Sequence, residues 1–149
     1  MAAAGQAKPY PLSHVSPRAS HPQFSPDGRW LAYQADDTGR DEIYVSPFPG
    51  PGVPRQVSLS GGSFPRWRGD GRELFFLTRV GQLATAEVTP RNGSLETGEE
   101  RLLFHPHMRR VPTYTYDVSA DGQRILAITQ RNVTDRLTVV QNWPALLKK

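Results

Sequence analysis

Two histidines separated by one proline, His105-Pro106-His107, are the nearest approach in this chain to a metal-ligand pair. On an extended backbone residues two apart point the same way, so both imidazoles would face a single ion. No acidic or thiolate neighbour completes a set, and a zinc site takes about four ligands, so the pair reads as loop histidines and no metal is expected. Arg66 and Arg68, also two apart, offer a different chemistry. A guanidinium presents a planar fork of donors that could hold an anion or an acidic peptide tail, or it could be paired on the surface. The strained Gly-x-Ser-x-Gly elbow of hydrolases, His-Glu-x-x-His, a Walker phosphate loop and EF-hand spacing are all missing from the sequence. With no cysteine, disulfides and thiolate nucleophiles are excluded as well. The chain therefore reads as non-catalytic and without a cofactor. Asn92-Gly93-Ser94 and Asn132-Val133-Thr134 fit the glycosylation pattern, but both fall where turns are expected and read as turns.

The charge is unevenly spread. Net charge is +4 and the pI about 9.8. Residues 1–100 hold 10 Lys/Arg against 11 Asp/Glu, and residues 101–149 hold 8 against 3. Even in that last third the basic residues, Arg101, Arg109, Arg110, Arg124, Arg131, Arg136, Lys148 and Lys149, are scattered rather than massed, so the sequence argues against a nucleic-acid partner. The start of the chain lacks the basic and apolar regions of a secretory signal, and no window approaches the ~20 apolar residues of a membrane span. The compartment stays open.

The scaffold is announced by a repeat. Pro22-Gln23-Phe24-Ser25-Pro26-Asp27-Gly28-Arg29-Trp30-Leu31-Ala32-Tyr33 aligns without gaps on Pro65-Arg66-Trp67-Arg68-Gly69-Asp70-Gly71-Arg72-Glu73-Leu74-Phe75-Phe76, and a third copy runs from Thr115 to Ala127. Each contains an Asp-Gly pair, at 27, 70 and 121, whose aspartate bonds local backbone and whose glycine adopts positive φ. Turn formation accounts for all three aspartates. A short strand carrying Phe24, Trp67 or Val118 precedes each turn, and Trp30–Gln34, Arg72–Leu77 or Arg124–Ile128 follows it. These longer runs are nearly continuous in apolar residues, as in strands buried on both faces. Further strands are expected at 42–45 and 55–58, at 82–88 and 101–104, and at 136–141. Pro47 to Pro54, with four prolines in eight residues, must be a connection.

Four short antiparallel strands every 40–50 residues, dry on both faces, describe a β-propeller blade. The expected fold is all-β, about three four-stranded blades forming an open half-ring: an N-terminal segment (1–20), blade 1 (21–60), blade 2 (61–110), and an incomplete blade 3 with the tail (111–149). Blade 3 lacks a fourth strand, and the segment around Tyr10–His14 could supply one. An open half-ring would expose faces lined by Leu31, Tyr33, Leu126 and Ile128. The innermost strands would line a channel, where Gln23, Arg66 and Asp117 hold equivalent positions and, with Arg68, become binding candidates.

These repeats resemble the TolB-type, WD40-like propeller repeat, in which a Pro-x-Phe-Ser-Pro-Asp-Gly-x-x-Leu-Ala-Tyr core recurs. With the closing Thr138-Val139-Val140-Gln141-Asn142-Trp143, the pattern resembles the C-terminal end of large bacterial proteins that carry an N-terminal serine/threonine kinase domain. The resemblance covers residues 10–147 and implies a six-bladed propeller used for binding or scaffolding, in a family that is often extracytoplasmic. Expected partners are a protein or peptide, the missing propeller half, or a second copy in a homodimer. No residue here matches a kinase or peptidase motif, so such activity would need a domain outside this chain, of which it would be the sensor remnant.

Overall fold

A computed structural model of the chain describes residues 11–108, 112–131, 134–141 and 144. Tyr10, Arg109, Arg110, Asn132, Val133, Asn142, Trp143, Lys148 and Lys149, invoked above, lie outside the described residues. Three antiparallel sheets follow one another along the chain. The first takes the order β1 (Ser20–Phe24), β2 (Trp30–Ala35), β3 (Glu42–Pro47), β4 (Arg55–Gln56). The second comprises β5 (Ser63–Trp67), β6 (Glu73–Leu77), β7 (Leu83–Arg91), β8 (Ser94–Thr97) and β9 (Arg101–Leu102). The third has β10 (Tyr116–Val118), β11 (Arg124–Arg131) and β12 (Thr134–Gln141). The described residues form no closed ring.

The Asp-Gly pairs close the β1–β2, β5–β6 and β10–β11 hairpins with the same hydrogen bonds. Asp27 Oδ1 accepts from Arg29 N, Asp70 Oδ1 from Arg72 N, and Asp121 Oδ1 from Gln123 N, at 2.9–3.1 Å. Gly28, Gly71 and Gly122 follow with φ of 70–71°, where a side chain would be strained. Ser25 and Ser119 donate to Asp27 and Asp121. Arg68 replaces that serine in the middle copy, donating from Nε and Nη2 to Asp70.

Side-chain parity then stacks the sheets. Along β6, Leu74 and Phe76 point into a core shared with Trp30, Ala32, Ile43 and Val45 of the first sheet. Phe75 and Leu77 point the opposite way, into a core shared with Tyr116, Ile125 and Ala127 of the third. The middle sheet is thus dry on both sides, as its apolar run predicts. Two buried carboxylates tie strands together within sheets. Glu42 is held by Ser58, Arg40 and Gly61 N, and Glu73 by Arg68, Arg101 and Thr85.

Four expectations need correction. The segment before β1 is no strand where described: residues 13–15 make a turn, and Leu12, Val15 and Ala19 pack on Leu31, Tyr33 and Ala35. Ser16 and Arg18 fasten it to Asp37 and the Asp36 carbonyl. Leu31 and Tyr33 are consequently only 6 % and 2 % exposed, so the first sheet's outer face is covered by the chain itself. The third sheet does show the open face, with Leu126, Ile128 and Val139 at 39 %, 38 % and 52 %. β11 accordingly alternates rather than being buried on both sides. Finally, the second sheet has a hairpin the strand count lacked. β7 runs past Val88 to a two-residue turn at Asn92 and Gly93, both at positive φ (48° and 77°), and returns as β8.

The Asp-Gly turns set the acid stability. The hydroxyl of Ser25 holds the Asp27 carboxyl down to about 2 from an ordinary 3.8, and the Arg68 guanidinium holds Asp70 at about 2. Folded values below unfolded ones mean that this stabilisation is complete above about pH 4 and disappears as pH falls toward 2. We expect the melting temperature to fall over that window, and Asp70→Asn to melt lower at pH 7 with a shallower acid decline. Identical acid slopes for the two proteins, measured by circular dichroism, would contradict the turn chemistry.

Candidate binding site on the inner strands

The first strand of each sheet carries the candidate residues, and a distortion repeated in two of them shapes the site. In β1 and β5 the ladder register slips, between Ser20 and Gln23 and between Ser63 and Arg66. The slips contain His21 (φ 53°) and Phe64 (φ 59°), equivalent residues that each precede a proline. Non-glycine residues in the left-handed region are strained and persist only where the surroundings hold them. Here two tyrosines of the third repeat do so. Tyr114 Oη donates to the His21 carbonyl at 2.9 Å, and Tyr116 Oη to the Phe64 carbonyl at 2.6 Å. Phe64 N also donates to Gln34 Oε1 at 2.9 Å.

The rings of His21, Phe64 and Tyr114 meet edge to face, with centroids 4.7–5.6 Å apart. Over the Tyr114 ring lies the Arg66 guanidinium, its Cζ 3.8 Å from the centroid, a cation–π contact. Arg66 Nε is buried and 3.5 Å from Asp117 Oδ1 but makes no hydrogen bond among the described residues, while that oxygen accepts from Val118 N at 2.9 Å. Among the described residues nothing bonds the two terminal nitrogens. Burial pushes the Tyr114 phenol up, while Arg66 and the Gln23 side chain act against that shift. The Gln23 carbonyl accepts from Trp67 Nε1 at 3.2 Å, joining the first two inner strands.

Gln23, Arg66 and Asp117 therefore come together, one from each sheet. Arg68 does not join them: it lies beyond the end of β5, bound to Asp70 and Glu73, with its Cδ only 2.7 Å from where a Cβ on Gly122 would stand. His105 and His107 have ring centroids 5.1 Å apart, and among the described residues no group of three or more His, Asp or Glu could hold a metal. The members absent from the sequence reading are His21, Phe64 and Tyr114. The first two carried a signal, an aromatic ring before proline at the same repeat position; Tyr114 has no counterpart in the other copies.

Removing one hydroxyl tests the clamp on the bulge. Tyr116→Phe leaves the buried Phe64 carbonyl unpaired, at a cost of about 1–3 kcal/mol. Urea unfolding should show a lower midpoint with an unchanged slope. An unaltered midpoint would mean that the tyrosine does not hold the strand.

No protein-family model and no curated protein matches the sequence. Solved structures do match its fold. A putative TolB from Agrobacterium tumefaciens is similar over 83 % of this chain and 43 % of its own length, with 22 % identity and a TM-score of 0.62. TolB from Acinetobacter baumannii is similar over 82 % of this chain and 29 % of its own, with 21 % identity and a TM-score of 0.55. An oligogalacturonate lyase from Vibrio parahaemolyticus is similar over 79 % and 35 %, with 15 % identity and a TM-score of 0.54. The chain thus spans less than half the length of each. Its three stacked sheets are an open stretch of a TolB-like β-propeller.

Proposed function

We propose that the chain is a non-catalytic binding or scaffolding module whose inner strands receive an acidic peptide or protein tail. The observation that carries this reading is Arg66, supported by the Tyr114 ring and flanked by Gln23 and Asp117, with terminal nitrogens that nothing bonds among the described residues. A guanidinium held flat on an aromatic ring has already lost most of its rotamer freedom, so a carboxylate that meets it costs little further ordering. The main carboxylates elsewhere have structural duties. Asp27, Asp70 and Asp121 close turns, and Glu42 and Glu73 bind strands together.

Fluorescence anisotropy with a labelled hexaglutamate peptide tests the site. Arg66→Gln should weaken binding by about tenfold or more, the scale of a lost charge-assisted pair. Arg72→Gln, the same charge change on an exposed residue, should have little effect. Equal losses in the two variants would reduce the interaction to general charge attraction and overturn the site.

The same reading makes the chain part of a larger propeller, with a further blade seated on Leu126, Ile128 and Val139. The β11 positions Leu126 and Ile128 correspond to the β2 and β6 positions that receive the next sheet in the first two repeats, and Val139 lies beside Leu126 on β12. Sedimentation should show a chain whose self-association is weak and unaffected by Leu126→Glu. A tight dimer dissociated by that substitution would overturn this reading in favour of pairing between copies.

A further inference from the structure

A cavity of about 270 Å³ lies at the opposite end of the inner strands from the Asp-Gly turns, between the β2–β3 and β6–β7 connections. That volume is just below the roughly 300–1,000 Å³ of ordinary small-molecule sites, which suits a small ligand. Its apolar lining comes from Phe64, Leu77 and Met108, of which Leu77 is buried and the other two partly so. Phe64 is one of the two strained bulge residues, so the backbone distortion places a ring in this wall.

The charged groups at the mouth divide into committed and uncommitted. Arg40 is committed, with Nε on Glu42 and Nη2 3.4 Å from the Leu59 carbonyl. His105 is committed too: Nε2 lies 2.9 Å from the Val80 carbonyl, which can only accept, so this nitrogen carries the proton. Arg79 differs. It sits in the tight turn closed by Gly81 N on the Thr78 carbonyl, and among the described residues no hydrogen bond or ion pair holds its guanidinium. Asp41 lines the same cavity, and among the described residues its carboxylate accepts one hydrogen bond, from the Gln34 amide to Oδ2 at 3.3 Å. Asp41 and Arg79 line one cavity without pairing to each other. Opposite charges and apolar side chains that line one cavity complement a ligand that carries both charges and a hydrocarbon group.

We propose that this cavity binds a small zwitterion with an apolar side chain, of the α-amino acid class. Its carboxylate meets Arg79, its ammonium meets Asp41, and its side chain lies against Phe64, Leu77 and Met108. The cavity shares Phe64 with the Arg66 cluster but draws on different charged groups, Asp41 and Arg79, so its test does not depend on the peptide reading.

Titration calorimetry with L-phenylalanine, phenethylamine and 3-phenylpropionate tests it. L-Phenylalanine should bind saturably at micromolar to millimolar concentration, and each analogue lacking one charge should bind about tenfold or more weakly. Arg79→Gln should weaken L-phenylalanine and 3-phenylpropionate but leave phenethylamine unchanged; Asp41→Asn should do the converse. Both residues are exposed, so the melting temperatures of the unliganded variants should match that of the parent, and Arg72→Gln should leave all three titrations unaltered. Absence of L-phenylalanine binding at millimolar concentration, or equal losses for all three compounds in either variant, would overturn the proposal.

Discussion

The whole arrangement depends on one short strand having two dry sides. In Glu73–Leu77 the side chains alternate between two separate cores, so the middle sheet cannot exist without neighbours on both faces. Burying an aromatic or aliphatic side chain is worth about 1.5–3 kcal/mol. The five residues of this strand thus do more to hold the sheets in sequence than any surface ion pair, whose contribution is about 0–1 kcal/mol. Glu73 is the polar exception on the strand. It is tolerated because Arg68, Arg101 and Thr85 satisfy its oxygens, binding the strand's start to β7 and β9.

Stacking the sheets in this way brings their first strands together, and that alone assembles the candidate site. No single repeat contains it. Gln23, Arg66 and Asp117 are each unremarkable within their own strand, and they acquire a common neighbourhood because equivalent positions of successive sheets converge. The bulges at His21 and Phe64 then turn rings into the space that regular strands would leave to solvent. Tyr114 completes the arrangement from the third repeat, with its hydroxyl on one bulge and its face under the arginine.

Much of this was legible in the sequence, and the limits are physical. Asp-Gly pairs specify a local turn, so three identical pairs reported three hairpins directly. Continuous apolar runs reported strands buried on both sides, correctly for 30–34 and 73–77. The run at 124–128 read the same way, because hydrophobic content tells what a strand would bury and not whether a neighbour is present. Leu31 and Tyr33 were misread in the reverse sense: their cover comes from Leu12, Val15 and Ala19, in a stretch with no periodicity to mark it. The β7–β8 hairpin was signalled by Asn92-Gly93, a two-residue turn pair that also fits a modification pattern and was read as a turn without its returning strand. Arg68 was added to the channel candidates alongside Arg66, but β5 ends at Trp67 and Arg68 turns to Asp70 and Glu73. Tyr114 could not be found from a repeat that it does not share.

The covering of one outer face and not the other has a consequence for crowding among copies. A stack of wedge-shaped sheets with two bare ends would add molecules head to tail without limit, as heterologous contacts that do not close give fibres. Here the leading end is plugged by residues 12–19, and those residues are pinned to the β2–β3 connection through Asp36 and Asp37. Among the described residues one outer face is covered and the other open, so the head-to-tail contact that a doubly bare stack would repeat has only one of its two halves here.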